Sequence, residues 1–345
     1  MEDVVHAITT KMNEAIAAEA VNSASEYHVA TQMVRGVPLR CFTAIGHGAL
    51  ASVGRYFERA LVAHPAESVA YVGDDGQRLS YGELRHHLCS LSSGLASVFF
   101  VGVGDRVSIA SRNSPEWCIT FLSTIMLGGI AVPINSWWKG AELEYGLRDS
   151  GSMLYACDAQ RLAAVGSEML NKLGVSALLL DGAQPEGAAA PARLAHYAAV
   201  LRAGAVDAEV WPAPPAVGID DDAAIMYTSA TTGDPKGVVQ THRNLLTQMA
   251  SQMLATTARN AALAAVLHGG KAPPPQQAAI LLTVPLFHVT ASHHIFLIGL
   301  VTGNKVIFLR KWEPGRALRL IEEHKVHGTF RARAAYRWIT ASWPR

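Results

Sequence analysis

The sequence predicts an α/β protein of layered subdomains, with mostly parallel sheets and flanking helices. Three observations carry this prediction. From Ser68 onward, short apolar runs alternate with helix-like stretches, the succession that crossover connections between parallel strands require. The runs GGIAVPI at 128–134 and AILL at 279–282 are apolar throughout rather than alternating, as strands covered on both faces are. Finally, an apolar strand at Ala223–Tyr227 opens into a hydroxyl- and glycine-rich loop, and a helix follows. Open α/β sheets present ligand sites at such carboxyl ends.

The elements can be justified in order. Residues 1–40 are weakly patterned and are expected to hold one or two short helices; 1–54 is set apart as an N-terminal extension of unassigned role. The segment from Ser68 reads as a strand, a Gly-Asp-Asp-Gly turn, a second strand and a helix from Tyr81. Ser80 is its N-cap, and Glu83 completes a capping box. A strand at 105–111 precedes a helix starting near Pro115, where a missing N–H costs nothing. The strand GGIAVPI and a helix at Gly140–Arg148 continue the alternation. The alanine- and proline-rich stretch 183–219 reads as a helix between loops, and 269–278 as a solvent loop with a polyproline step. Strands AAIMYT, AILLTVP and NKVIFLR follow, with a last helix at Pro314–Lys325 that turns Leu318, Leu320 and Ile321 inward.

Composition narrows the classes. With 345 residues, one large domain or two to three packed subdomains are possible, and such a chain buries roughly three quarters of its unfolded surface without disulfides or metals. Lysine plus arginine number 29 against 28 acidic residues, a net charge of +1. That balance argues against a dedicated nucleic-acid binder. Cys41, Cys89, Cys118 and Cys157 are scattered, with no paired zinc spacing, which points to a reducing, cytoplasmic setting. The start has no basic stretch leading into an apolar core, so it does not read as a signal peptide. The apolar run 118–134 contains two glycines and a proline and reads as a buried helix plus strand, not a membrane span.

The strongest local signal is YTSATTGDPKG at 227–237. Small residues and hydroxyls let backbone N–H groups converge on one anion, and Lys236 adds a mobile positive charge. The spacing differs from the GxxxxGK[ST] nucleotide loop, and no Ser or Thr follows Lys236. Loops of this composition also arise simply as turns.

Tyr227–Gly237 resembles the signature of the adenylate-forming (AMP-dependent) synthetase/ligase superfamily, which includes acyl-CoA synthetases, aryl-CoA ligases, luciferases and peptide-synthetase adenylation domains. Ala230 stands where the family form has glycine. The resemblance extends, in order, to GDRVSIASRNSPEW at 104–117, LGGIAVPIN at 127–135, AELEYGLRDSG at 141–151, TVPLFHV at 283–289 and WEPGRALRLIEEHKV at 312–326. It implies that Thr228, Ser229, Thr231, Thr232, Gly233 and Lys236 cradle the phosphates of ATP, with Lys236 and Thr232 acting in catalysis. Magnesium would bridge the phosphates, with no protein metal site assigned. Phe287 and His288 would line the acyl pocket, His288 as its gate. Thr241 and Asn244 read as helix-start residues. His288, His293 and His294 lack the partners of a zinc site. Trp137 and Trp138 suit either a pocket or the surface.

The implied reaction is that of a fatty-acid–CoA ligase: ATP-dependent adenylation of a carboxylic acid, then transfer to coenzyme A. Its partners are the acid, ATP and CoA, without nucleic acid or transmembrane segment. The family's later Thr-Glu and Thr-Gly-Asp segments and its lysine-bearing C-terminal domain do not appear in the sequence. The expectation is therefore an incomplete large N-terminal domain, 55–330, divided into a first subdomain at 55–220 and a second at 221–330, with a divergent tail at 331–345. Activity is expected to be lost or severely impaired, the alternatives being a non-catalytic nucleotide- or partner-binding fragment or a decayed gene product.

Overall fold

Before the region where the sequence patterning sharpens, the chain already forms regular structure. In the computed structural model, which describes residues 2–182, 191–205, 211, 215–228, 233–271 and 276–329, helix α1 (Glu2–Val21) precedes a hairpin of β1 (Val29–Val34) and β2 (Val37–Phe42). This differs from the expected short helices. Ala15 and Glu19 of α1 face Leu254, Thr257, Ala258 and Ala261 of a later helix across a shallow groove. A helix docked through such small side chains shows little amphipathic contrast in sequence.

Helix α2 (Val53–Val62) leads into β3 (Val69–Val72), β4 (Arg78–Ser80) and α3 (Tyr81–Phe99). The capping box is formed as expected: Glu83 N–H donates to Ser80 Oγ at 3.2 Å, and Ser80 N–H donates to Glu83 Oε2 at 2.8 Å. Next come β5 (Arg106–Ala110), α4 (Pro115–Met126), β6 (Ile130–Pro133), α5 (Gly140–Ser150), β7 (Leu154–Asp158), α6 (Ala159–Val165), α7 (Ser167–Leu173) and β8 (Ser176–Asp181). Pro115 sits in the first turn of α4 behind the N-cap Ser114. In the stretch 183–219, the described residues form β9 (Leu194–His196) and α8 (Tyr197–Ala203).

The remaining elements are β10 (Asp222–Tyr227), β11 (Gly237–Thr241), α9 (His242–Leu267), β12 (Ala279–Leu282), a π-helical segment at Thr290–Leu297, α10 (Ile298–Val301), β13 (Lys305–Phe308), α11 (Pro314–His324) and β14 (Gly328–Thr329). In α11 the buried face is Ala317, Leu320 and His324. Ile321 and Leu318 are only half-buried, so the inward face lies further round the helix than expected.

Two sheets result. The larger runs β11-β10-β6-β5-β7-β8-β9 and is parallel except for the β10–β11 pair; the smaller runs β14-β12-β13-β3-β4 and is parallel except for β3–β4. The mostly parallel α/β architecture expected from the sequence is present. Each sheet draws strands from both sides of residue 220.

Alternate residues face different layers, the period-two consequence of the pleat. In β7, Leu154 and Ala156 join the central core, while Tyr155 and Cys157 face outward with Leu143, Leu147 and Leu162 of α5 and α6. In β13, Val306 and Phe308 face the central core and Ile307 packs with Ala317 and Leu320 of α11. The layers are helix, sheet, helix, sheet, helix. Helix α4 occupies the middle layer, and every residue from Trp117 to Met126 is buried. Trp117 stacks on Phe121 at 5.3 Å, and both rings meet Phe296 edge-on. The apolar run that begins at Cys118 is thus a helix buried on all sides followed by β6. Among the described residues no helix is long and apolar enough to cross a membrane.

Candidate active site

The phosphate-loop candidate lies at the carboxyl end of β10, where open α/β sheets place ligands. The chain returns from it as β11, an edge strand that the sequence reading passed over, before Thr241 caps α9. Tyr227 pairs with Gly237 across the neck of the resulting hairpin. Thr228 N–H donates to the Lys236 carbonyl at 3.0 Å, and Lys236 N–H reaches Thr228 Oγ1 at 3.4 Å. Thr228, Gly233 and Lys236 are thereby gathered on one loop, with Gly233 and Lys236 exposed. Ser229, Thr231 and Thr232 lie outside the described residues, as does Ala230. Gly233 holds φ +85°, a conformation that L side chains rarely adopt.

Helix α5 braces this hairpin from below. Tyr145 Oη donates to the Pro235 carbonyl at 2.9 Å, and Tyr227 Oη donates to Asp149 Oδ2 at 2.6 Å. Burial first, then the Asp149 carboxylate, raises the Tyr227 phenol pKa far above its usual range, keeping the phenol a proton donor. At the end of the hairpin, Asn244 N–H donates to Thr241 Oγ1 at 3.2 Å, and Thr241 N–H donates to Asn244 Oδ1 at 2.9 Å. Both residues start the helix, as the sequence reading held.

The second motif follows β12. Its Phe287 is buried and His288 exposed, with their ring centroids 4.6 Å apart. Asn113, in the turn between β5 and α4, anchors the segment with its side-chain amide: Nδ2 donates to the Val284 carbonyl at 3.0 Å, and Leu286 N–H donates to Oδ1 at 2.9 Å. Trp137 meets Phe287 edge-on at 5.4 Å, while its neighbour Trp138 meets Tyr227 at 5.7 Å. This run of rings joins the two motifs, which are far apart in sequence, along one rim of strand ends.

The histidines divide by partner. Partial desolvation by its neighbours pulls the His288 pKa below its usual value. His293 is tied elsewhere: its Nε2 lies 2.9 Å from Gln240 Oε1 on β11, and its Nδ1 lies 2.9 Å from Ser292 Oγ. Burial, reinforced by His294, brings the His293 pKa down to about 4. His294 Nδ1 sits 3.4 Å from Gln248 Nε2. Among the described residues no group of three or more His, Cys, Asp or Glu side chains is arranged to hold a metal ion.

Sequence reasoning missed Asn113 and the pair that holds the rim. Asp158 and Arg161 form a buried ion pair at 2.9 Å. Arg161 donates to the Ser136 carbonyl through Nε at 2.8 Å and Nη2 at 2.6 Å, and Arg112 N–H reaches Asp158 Oδ2 at 3.3 Å. One salt bridge therefore ties together the loops after β5, β6 and β7. The spacing Asp-x-x-Arg at a strand end was the available signal, but the long-range partners are invisible in sequence.

A cavity of ≈ 370 Å³, lined in part by Asp74, Arg78, His87, Asn113, Asp181 and Arg310, opens beside β3, β4 and β8. It lies toward the opposite edge of both sheets from β11 and β14. Arg310 pairs with Asp181 there. None of the described residues of the two motifs lines it.

Comparison with known proteins shows the family of the chain. The family described as "AMP-binding enzyme" matches residues 57–344. The chain is 30% identical over 260 residues to 4-coumarate–CoA ligase 3 of Arabidopsis thaliana, covering 74% of this chain and 41% of that protein. It is 28% identical over 252 residues to the long-chain-fatty-acid–CoA ligase FadD13 of Mycobacterium tuberculosis, covering 72% and 43%. The inhibitor-bound N-terminal domain of FACL13 from Mycobacterium tuberculosis superposes with a TM-score of 0.63 at 25% identity, covering 84% of this chain and 64% of that one. The chain spans less than half the length of these two curated relatives. With the family match covering residues 57–344, most of its length, the chain belongs to the AMP-binding enzymes.

Proposed function

We propose that the β10–β12 rim binds ATP and a lipophilic carboxylic acid, such as a fatty acid, for adenylation of the acid and transfer to coenzyme A. The observation that carries this reading is the ring contact between the two motifs: Trp138 on Tyr227 and Trp137 on Phe287 set the loop beside the 283–289 segment. In this reading Thr228, Ser229, Thr231, Thr232 and Gly233 cradle the phosphates. Lys236 and Thr232 then offset the charge that develops as a carboxylate oxygen attacks the α-phosphorus and pyrophosphate leaves. Phe287 and His288 bound the acid.

In this reading magnesium, which takes hard oxygen ligands, would be carried by the phosphate oxygens of ATP and would offset their charge. A reducing, cytoplasmic setting accords with four cysteines that are all buried and unpaired. Burial raises the Cys89 thiol to about 11 and lifts Cys118 and Cys157 well above the usual range, so they are inert rather than nucleophilic.

Acid-dependent ATP–pyrophosphate exchange on the purified chain tests the reading. Exchange that Lys236→Ala abolishes supports it. ATP binding that Lys236→Ala weakens, without exchange for any acid, reduces the chain to a nucleotide-binding protein. Neither binding nor exchange rejects the reading altogether.

A further inference from the structure

Helix α5 grips the hairpin around the phosphate-loop candidate at two points, one on each side of the loop. Tyr145 and Asp149 lie four residues apart, on one face of the helix. Tyr227 Oη, at the last residue of β10, donates to Asp149 Oδ2 at 2.6 Å. Tyr145 Oη donates to the Pro235 carbonyl, two residues before β11 begins, at 2.9 Å. The helix that carries both groups is itself held fast. Leu143 and Leu147 are buried in the outer core. Gly146 lies so close to the end of β6 that an added Cβ would meet Ile134 and Trp138, both at 3.1 Å. A glycine weakens a helix interior; here it permits that close approach.

The bond from Tyr145 bears on the residue that follows Pro235. The Pro235 carbonyl and the Lys236 N–H belong to one planar trans peptide and point in opposite directions. With the carbonyl held toward α5, the N–H is turned to Thr228, whose Oγ1 lies 3.4 Å away. The Lys236 carbonyl accepts from Thr228 N–H at 3.0 Å. The main chain of Lys236 is thus fixed on both sides while its side chain stands exposed. Proline has no N–H, so residue 235 offers only its carbonyl as an anchor. Partial desolvation, then the carboxylates of Asp149 and Asp234, raise the Tyr145 phenol pKa, so the hydroxyl keeps the proton it donates.

We propose that Tyr145 is a positioning residue of the nucleotide site: it holds the Pro235–Lys236 peptide so that the Lys236 ammonium is directed at the phosphates of ATP, without itself touching the nucleotide. The proposal rests on the reading of this loop as the ATP-binding loop. A lysine stem is flexible, so the region its ammonium samples depends on how its peptide is held. Losing the hydroxyl frees that peptide to rotate, and ATP must then order the lysine as it binds.

The experiment is calorimetric titration of the full chain with ATP and magnesium, for wild type, Tyr145→Phe, Lys236→Gln and the double variant. ATP is taken to millimolar concentration so that weakened variants still titrate, and thermal midpoints are measured alongside. Phenylalanine keeps the ring and drops only the hydroxyl, so the midpoint of Tyr145→Phe is expected to stay close to wild type. Its ATP affinity falls about threefold to tenfold, the size of one neutral hydrogen bond. In the Lys236→Gln background the same change costs less than about twofold, because a residue that acts through Lys236 has nothing left to direct. A merely structural part would cost the same in both backgrounds.

No loss in Tyr145→Phe, or an equal loss in both backgrounds, overturns the proposal. So does a loss that follows a fall in the thermal midpoint. A wild type whose ATP binding does not depend on Lys236 overturns it while leaving nucleotide binding intact. A folded wild type that binds no ATP overturns the underlying reading as well.

Discussion

Asn113 and Leu286 are 173 residues apart in sequence, yet the Leu286 N–H donates to Asn113 Oδ1 at 2.9 Å. The same amide donates to the Val284 carbonyl, so one buried side chain serves two backbone groups of the segment carrying Phe287 and His288. Replacing it by alanine leaves both groups without that partner. Asn113→Ala is expected to lower unfolding stability by about 1–3 kcal/mol and to weaken acid binding more than ATP binding. Asn113→Asp keeps the acceptor for Leu286 but sets a buried carboxylate against the Val284 carbonyl, and is expected to cost at least as much as alanine. Urea unfolding and separate acid and ATP titrations check the order; equal losses for both ligands contradict the local role.

The Asp158–Arg161 pair makes a sharper stability prediction. Both side chains are almost fully buried, and removing one partner strands a charge in a poorly solvated place. Arg161→Met is expected to cost about 3–5 kcal/mol. The double variant Asp158→Asn with Arg161→Met is expected to cost less than the single change, because no unpaired charge remains. Denaturant midpoints for the two proteins decide this, and a double variant less stable than the single one refutes it.

Legibility in the sequence followed the range of the interactions. The Ser80–Glu83 box and the Pro115 helix start are written in adjacent residues, and the structure has both. The hairpin of β1 and β2 escaped notice because its turn places Arg35 and Gly36 at φ 48° and 81°, a two-residue turn of the kind usually signalled by Asn-Gly. Strand β11 was hidden because its Val238 and Val239 are exposed on an edge strand, without a buried face to set a pattern. The strand and helix that flank the phosphate-loop candidate were readable from composition and order. The candidate's coupling to Phe287 was not, because the contacts run through Trp137, Trp138 and Asn113, residues whose partners lie on other strands.

Gly233 predicts a change confined to the loop. Its φ is +85° and an added Cβ meets nothing within 4 Å, so Gly233→Ala strains the backbone without a clash. The expected loss is about 1–2 kcal/mol at that residue, relieved by a shift of the exposed loop rather than by global unfolding. ATP affinity should therefore fall by roughly tenfold while the thermal midpoint barely moves. An unchanged affinity dissociates this loop from the nucleotide.

Acid sensitivity should come from two buried histidines other than His288. Burial brings both His242 and His293 down to about 4, against about 6.5 in an unfolded chain. His242 Nδ1 accepts from Val53 N–H at 3.2 Å, and His293 lies between Ser292 and Gln240. The folded state thus favours the neutral rings, and between these two values the unfolded chain binds more protons. The stability that each contributes is complete above pH 6.5 and is lost progressively as pH falls toward 4, below which the loss levels off. Urea midpoints at pH 7.5, 5.5 and 4.5 should fall steeply for the wild type. His293→Gln keeps a hydrogen-bonding side chain but removes one titrating group, so its midpoint should start lower at pH 7.5 and fall less across the same window. A variant that loses as much stability as the wild type between pH 6.5 and 4 rules out His293 as a source of the acid sensitivity.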